Sequence, residues 1–149
     1  MNDVISIATK VRRQCEIFAQ SSEAKGHDFH TYFDKSDLAC MCAVASYTLA
    51  KALNDNGIRC KMVTGWFREW ADYEEQHCWV ETHNKIIDIT ATQFGIKKPV
   101  FIVSRHHEKY HRDKIVRDPN ELAGWGNQKP NQKLTKIILK IKIGEQDGY

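Results

Sequence analysis

The spacing of apolar residues changes period partway along this chain. Val4, Ile7, Ala8, Val11, Cys15, Phe18 and Ala19 recur at intervals of three and four, which predicts an amphipathic first helix. Residues 21–30 are polar, include Gly26, and read as a connector. Ser36 or Asp37 is placed to cap a second helix that runs to about Asn56 and stops before Gly57. That helix carries Ala39, Ala43, Val44, Ala45, Leu49, Ala50, Ala52 and Leu53 around most of its circumference, as a helix buried mid-fold does.

Beyond Gly57 the period shortens to two. Ile58, Cys60 and Met62 alternate with Arg59 and Lys61, as in a half-buried strand. Residues 76–82 and 85–90 read as strands joined at His83-Asn84, and 100–103 as a short strand after Pro99. A last strand is expected over 134–143, where Ile137, Leu139, Ile141 and Ile143 alternate with Lys136, Lys140 and Lys142. Those lysines suit the protection of an exposed sheet edge. Residues 65–76 are aromatic and acidic without a clear period and read as a loop. Residues 104–117 are polar with helix as one option, and 118–131 form a loop containing Pro119, Gly124, Gly126 and Pro130. Helices first and strands after predict an α+β chain.

Composition narrows the function classes. At 149 residues the chain suits a single domain spanning 1–149, and 42% hydrophobic with 28% charged residues is ordinary for a globular protein. No apolar stretch approaches the roughly 20 residues of a membrane span, and Asp3 with an amphipathic N-terminus does not resemble a secretory signal. A net charge of +3 is too small to argue for nucleic acid as the main partner. Five cysteines, an odd number, favour reduced thiols in the cytoplasm over a disulfide framework. Paired C-x-x-C knuckles are missing, which argues against a zinc ribbon.

Candidate chemistry enters at Cys42, His77 and Asp88, a thiol, an imidazole and a carboxylate in chain order. Such a set suits acyl transfer: the thiol attacks, the imidazole acts as base and then acid, and the carboxylate fixes the imidazole tautomer. A free thiol near pKa ~8.5 is mostly protonated at neutral pH, but a helix N-terminus and a nearby imidazolium both favour the anion. A two-residue turn at His83-Asn84 sets Val80 opposite Ile87 and Trp79 opposite Asp88. His77, Trp79 and Asp88 then share one sheet face, with Asp88 diagonal to His77 at roughly 7 Å between backbones. A three-residue turn would turn Asp88 to the other face.

The run from Cys42 through Gly57-Ile58-Arg59 to Val63-Thr64-Gly65 resembles the nucleophile helix and following strand of the transglutaminase-like group of papain-fold proteins. Its Cys-to-Gly-Ile spacing is also similar to that of the processing peptidases for lasso peptides. His77-Cys78-Trp79-Val80-Glu81 and Asp88-Ile89-Thr90 are similar to that group's His-x-Trp-x-Glu and Asp-x-Thr motifs. About one third of the chain is covered. The resemblance implies a papain-like core and cleavage or transfer at an amide or thioester of a protein or peptide substrate. It also implies Cys42, His77 and Asp88 as triad, with no cofactor or metal. An Asp third member favours the transglutaminase-like branch over papain peptidases, which use Asn. The Cys42 backbone N–H is a candidate oxyanion donor, with the Tyr32 or Trp66 side chain as alternatives.

Plainer readings stand beside these. A cysteine in an Ala-rich helix is often a small core residue, and Cys40, nearer the helix cap, is the rival nucleophile. Trp66 and Trp79 are candidates for lining the substrate cleft, although Trp79 also suits a packing wall and Glu81 a surface or supporting charge. Cys60 and Cys78 read as core, and Thr90 and Gln93 as neighbours of Asp88. Glu69, Asp72, Glu74 and Glu75, beside Trp66, Phe67, Trp70 and Tyr73, suit the border of a cleft that selects a partly basic partner. His107-Glu108-Lys109-Tyr110-His111 spells H-E-x-x-H, which on a helix would hold zinc with Glu108 as base. Its polar surroundings (Arg105, Arg112, Asp113 and Lys114) argue for a solvated segment instead. A third class is a papain-fold binding protein without chemistry.

Overall fold

A computed structural model describes residues 1–26, 38–130 and 132–144. Its elements run α1 (Asn2–Ala19), α2 (Cys42–Asp55), β1 (Lys61–Trp70), β2 (Tyr73–Thr82), β3 (Lys85–Asp88), β4 (Phe101–Ser104), β5 (Tyr110–Val116) and α3 (Gln132–Leu139). The strands form one antiparallel sheet in the order β4-β3-β2-β1-β5, so the chain is α+β as its pattern predicts.

Three helices cover one sheet face. Val4, Ala8, Val11, Cys15 and Phe18 of α1 meet Val44, Ala45, Leu49 and Leu53 of α2 and Leu134 and Ile138 of α3 over Val80, Ile87 and Ile89. Arg12 fastens α1 to the chain beyond β3: it is 2% exposed and donates to the Ile89 carbonyl at 2.7 Å and to Thr92 Oγ1 at 2.8 Å. Its Nε pairs with Glu16 at 2.7 Å, so the buried charge is matched. The opposite sheet face buries Val63, Phe67, Trp79, Ile86 and Tyr110 beneath Phe94, Ile96 and Phe101. No helix among the described residues is long and apolar enough to cross a membrane.

Two glycines are needed where they stand. Gly57, at φ +78°, ends α2 in the left-handed conformation that a C-terminal cap requires. At Gly65 a Cβ would lie 2.1 Å from the His111 carbonyl oxygen and 2.7 Å from the Trp79 ring. The sheet closes over Trp79 only because that side chain is missing.

Several sequence expectations are corrected. Residues 65–76 are not a loop but the outer half of the β1–β2 hairpin, whose end is closed by Trp70 stacked on Tyr73 at 5.3 Å. Their period was hidden because this end projects past the core, leaving residues of both faces exposed. Residues 104–117 contain an edge strand, β5, whose Arg112, Asp113 and Lys114 are exposed while Tyr110 and Val116 are buried. The last segment is helical instead of a strand. Leu134 and Ile138, one turn apart, bury against the other helices, and Thr135 bonds Thr48 at 3.1 Å. Alternation across Ile137, Leu139 and Ile141 concealed that face. Residues 118–131 include a 3-10 stretch, Pro119–Gln128. The second helix begins at Cys42 rather than 36 or 37; Ser36, Asp37 and Tyr32 lie outside the described residues.

Candidate active site

Cys42 is the first residue of α2, with Met41 as its cap, so its sulfur lies at the positive end of a buried helix. Cys40 sits in the preceding turn at φ +67° and packs against the separate helical core, while Cys42 clusters with Cys78, Ala43, Met62, Val116 and Leu122. The helix start therefore points to Cys42 rather than Cys40.

His83 and Asn84 adopt φ +53° and +60°, the two-residue turn whose backbone matches strand twist. The register is Thr82 with Lys85 and Val80 with Ile87, as the turn length requires. His77 and Asp88 consequently meet on one face, His77 Nε2 lying 2.7 Å from Asp88 Oδ2. Both are buried, at 0% and 1% exposure.

The surroundings hold that pair rigid. Asp88 Oδ2 also accepts from the Tyr110 hydroxyl at 2.7 Å, and Oδ1 accepts from the Thr90 N–H at 2.9 Å and the Thr90 hydroxyl at 3.3 Å. All carboxylate positions are occupied by donors. Phe94 meets the His77 ring edge-on at 4.8 Å, Phe67 does so at 6.0 Å, and Trp79 is tilted against it at 6.0 Å. With Nε2 committed to Asp88, Nδ1 is the nitrogen left for the thiol. It is buried, and no conventional hydrogen-bond partner meets it among the described residues.

Cys42 reaches this ring from the helical side because β3 pairs with β2 only at Val80–Thr82. Beyond that point the β2 edge at His77 and Cys78 has no β3 partner, and the start of α2 comes against it. The Cys42 thiol is lowered to about 5: the Cys78 thiol donates to it, burial opposes, and the His77 hydrogen bond and charge together with the Cys78 backbone N–H complete the shift. His77 is raised to about 10, since burial disfavours the cation but Asp88 and Cys42 outweigh it. Burial pushes Asp88 up, yet His77, the Thr90 N–H and Tyr110 hold it below its ordinary value. Burial and the Asp88 charge push Tyr110 up. These directions together favour thiolate, imidazolium and carboxylate in sequence. Burial pushes Cys15 up to about 12 and Cys60 up to about 11, so those thiols stay inert.

Other expected site residues fall in different places. Trp79 is wholly buried and donates Nε1 to Glu81 at 3.1 Å, so it is a wall and not a substrate contact. Glu81 is 4% exposed and is held in turn by Arg112 at 3.2 Å. Trp66 is 43% exposed on β1, paired with Gln76 and His111; it lies on the sheet face opposite His77, the face shared by Thr64 and Cys78 and turned toward Cys42. Gln93 bonds the Thr90 carbonyl at 3.0 Å and supports that turn. The H-E-x-x-H run is not helical. His107 lies in a turn, accepting the Lys109 N–H on Nδ1, and His111 on β5 pairs with Glu74, so the two rings share no helix face.

Sequence reasoning missed Tyr110 and read Cys78 only as packing. Tyr110 was masked by the motif around it; a strand reading of 110–116 would have placed it on one face. Cys42 itself is 4% exposed, and among the described residues Val116 and Leu122 cluster with it, with Trp125 packed on them. No family model, curated protein or solved structure matches this chain.

Proposed function

We propose that this chain is a papain-like domain of the transglutaminase-like branch, performing acyl transfer on an amide through Cys42, His77 and Asp88. The observation that carries the reading is the buried His77–Asp88 hydrogen bond of 2.7 Å placed against a thiol at a helix start. The Cys42 thiolate attacks the amide carbonyl, and the His77 imidazolium gives its proton to the leaving amine. Water or an acceptor amine, deprotonated by His77, then resolves the thioester. Asp88 stays ionised and holds Nε2 throughout. The Cys42 backbone N–H, in the first turn of α2 where N–H groups have no intrahelical acceptor, is the donor proposed for the oxyanion.

Access requires movement. With Leu122 clustered on Cys42, a peptide reaches the sulfur only when the segment Pro119–Gln128 shifts. Such burial also suits a binding protein without chemistry, whereas a thiol held as anion has no use there.

Alkylation by iodoacetamide, followed by peptide mapping across pH, separates these readings. Cys42 is expected to react fastest of the five cysteines, with an inflection near about 5. His77→Ala moves that inflection up toward the ordinary thiol range near ~8.5 and slows labelling at pH ~6 by on the order of tenfold, lower thiolate content outweighing higher intrinsic nucleophilicity. Equal, slow labelling of every thiol in the wild-type chain overturns the enzyme reading. Ammonia release from glutamine peptides, or their cleavage, then distinguishes the acyl-transfer types.

A further inference from the structure

Cys78 is a buried thiol that acyl transfer leaves unused. It follows His77 on β2 and faces the helical side, in the same apolar cluster as Cys42. Cys42 at the start of α2 and Cys78 on β2 belong to one buried cluster with Met62, Val116 and Leu122, and the Cys78 thiol and backbone N–H both help to lower the Cys42 thiol. Cys40, although closer in sequence, packs into the other core. We propose that Cys42 and Cys78 are an oxidation site for small hydroperoxides, closing to a reversible disulfide that shuts off the nucleophile.

The chemistry balances with hydrogen peroxide as oxidant. The Cys42 thiolate attacks one peroxide oxygen; an S–O bond forms, the O–O bond breaks, and the leaving hydroxide takes the His77 imidazolium proton to depart as water. Cys78 sulfur then attacks the Cys42 sulfenic sulfur. The S–S bond forms, the S–O bond breaks, and the Cys78 proton leaves with the hydroxide as a second water. Cys78 is held protonated first by its hydrogen bond to Cys42, then by burial and by the Cys42 and Asp88 charges. Oxidation of Cys42 removes the hydrogen bond and charge that hold that proton most strongly, which eases its release as the disulfide forms. A disulfide requires side-chain rotation that brings the two sulfurs to about 2.05 Å. The geometry also selects the oxidant: a pocket with 4% exposure at Cys42 admits a small peroxide before a bulky disulfide.

The inference rests on Cys42 being the reactive thiolate, not on amide turnover. The reduced full-length chain is exposed to hydrogen peroxide, blocked with iodoacetamide and digested without reductant. A peptide pair linking Cys42 to Cys78 is expected, two hydrogens lighter than its parts, with Cys42 alkylation lost and then fully recovered by dithiothreitol. In Cys78→Ser the same exposure carries Cys42 to sulfinic and sulfonic acid, which dithiothreitol does not restore. Cys78→Ala repeats the test where serine disturbs the apolar pocket, and if neither variant folds the wild-type linkage decides. Linkage of Cys42 to Cys40 or Cys60, or irreversible loss of wild-type Cys42, overturns the proposal. Fast alkylation of Cys42 without linkage defeats only the oxidation site; linkage without turnover of any amide defeats only the acyl-transfer reading.

Discussion

The two faces of the sheet are built from the same strands and do opposite work. Along β2, Cys78 and Val80 face the helices, while His77 and Trp79 face the aromatic side. Along β3, Ile87 faces the helices, while Ile86 and Asp88 face away. The helical face is joined by apolar contact, with Leu49, Leu53, Val80 and Ile87 all wholly buried. On the other face a polar chain from His77 to Asp88 to Tyr110 and Thr90 is sealed beneath Phe67, Phe94 and Trp79. Apolar contacts are replaceable by others of similar volume; buried ionic contacts are not, because losing one partner strands the other. Stability and chemistry are thus assigned to different sides of one sheet, and Cys42 is where they meet.

That division breaks most visibly at Asp88. Asp88→Asn retains the shape but cannot accept from both His77 and Tyr110 while holding the imidazolium, so turnover of an amide is expected to fall on the order of 10³-fold. The Cys42 alkylation inflection should move to higher pH than in the wild type, since Asp88 would no longer help His77 stay charged beside the thiolate. Unchanged turnover would mean that the carboxylate has no part in catalysis.

Leu49→Ala tests the other face. Leu49 is wholly buried in the helical core, and its truncation should cost about 2–5 kcal/mol by denaturant unfolding. The Cys42 alkylation inflection should stay where it was. A shift would show that core packing sets the site's electrostatics and that the faces are not independent.

What the sequence disclosed follows the same division. Period-two alternation and a two-residue turn were enough to put His77 and Asp88 together, because strand geometry converts spacing directly into a shared face. The Ala-rich run located a buried helix with Cys42 near its start, though the true start fell several residues later. Wherever an element is exposed, or its apolar residues run on successive positions, the signal failed. The hairpin end at Trp66 to Gln76 buries Phe67 alone, too little to reveal its alternation. In α3 the run Ile137-Ile138-Leu139 fits either period, and only contact with α1 and α2 decides it. Tyr110 and Cys78 were illegible for another reason: their roles depend on partners far along the chain, and no local pattern encodes a hydroxyl aimed at a carboxylate.

The mildest test is Tyr110→Phe, which deletes one hydroxyl and keeps the ring against Trp79. The hydrogen bond to Asp88 should be worth about 1.5–3 kcal/mol, as the acceptor is charged. Its pH signature is more telling than its size. Asp88 is held below its ordinary value in the folded chain, so it contributes stability above its unfolded value that is lost as pH falls through the folded one. Removing a donor lets the folded value rise, and the acid-unfolding midpoint should move to higher pH. Arg12→Lys, on the helical face, should lower stability by a similar amount across the acid range without changing the slope of stability against pH, since Arg12 binds the Ile89 carbonyl and Thr92 and not the carboxylate. Equal midpoints for Tyr110→Phe and wild type would mean that Thr90 and His77 alone keep Asp88 ionised, leaving Tyr110 as packing on the aromatic side.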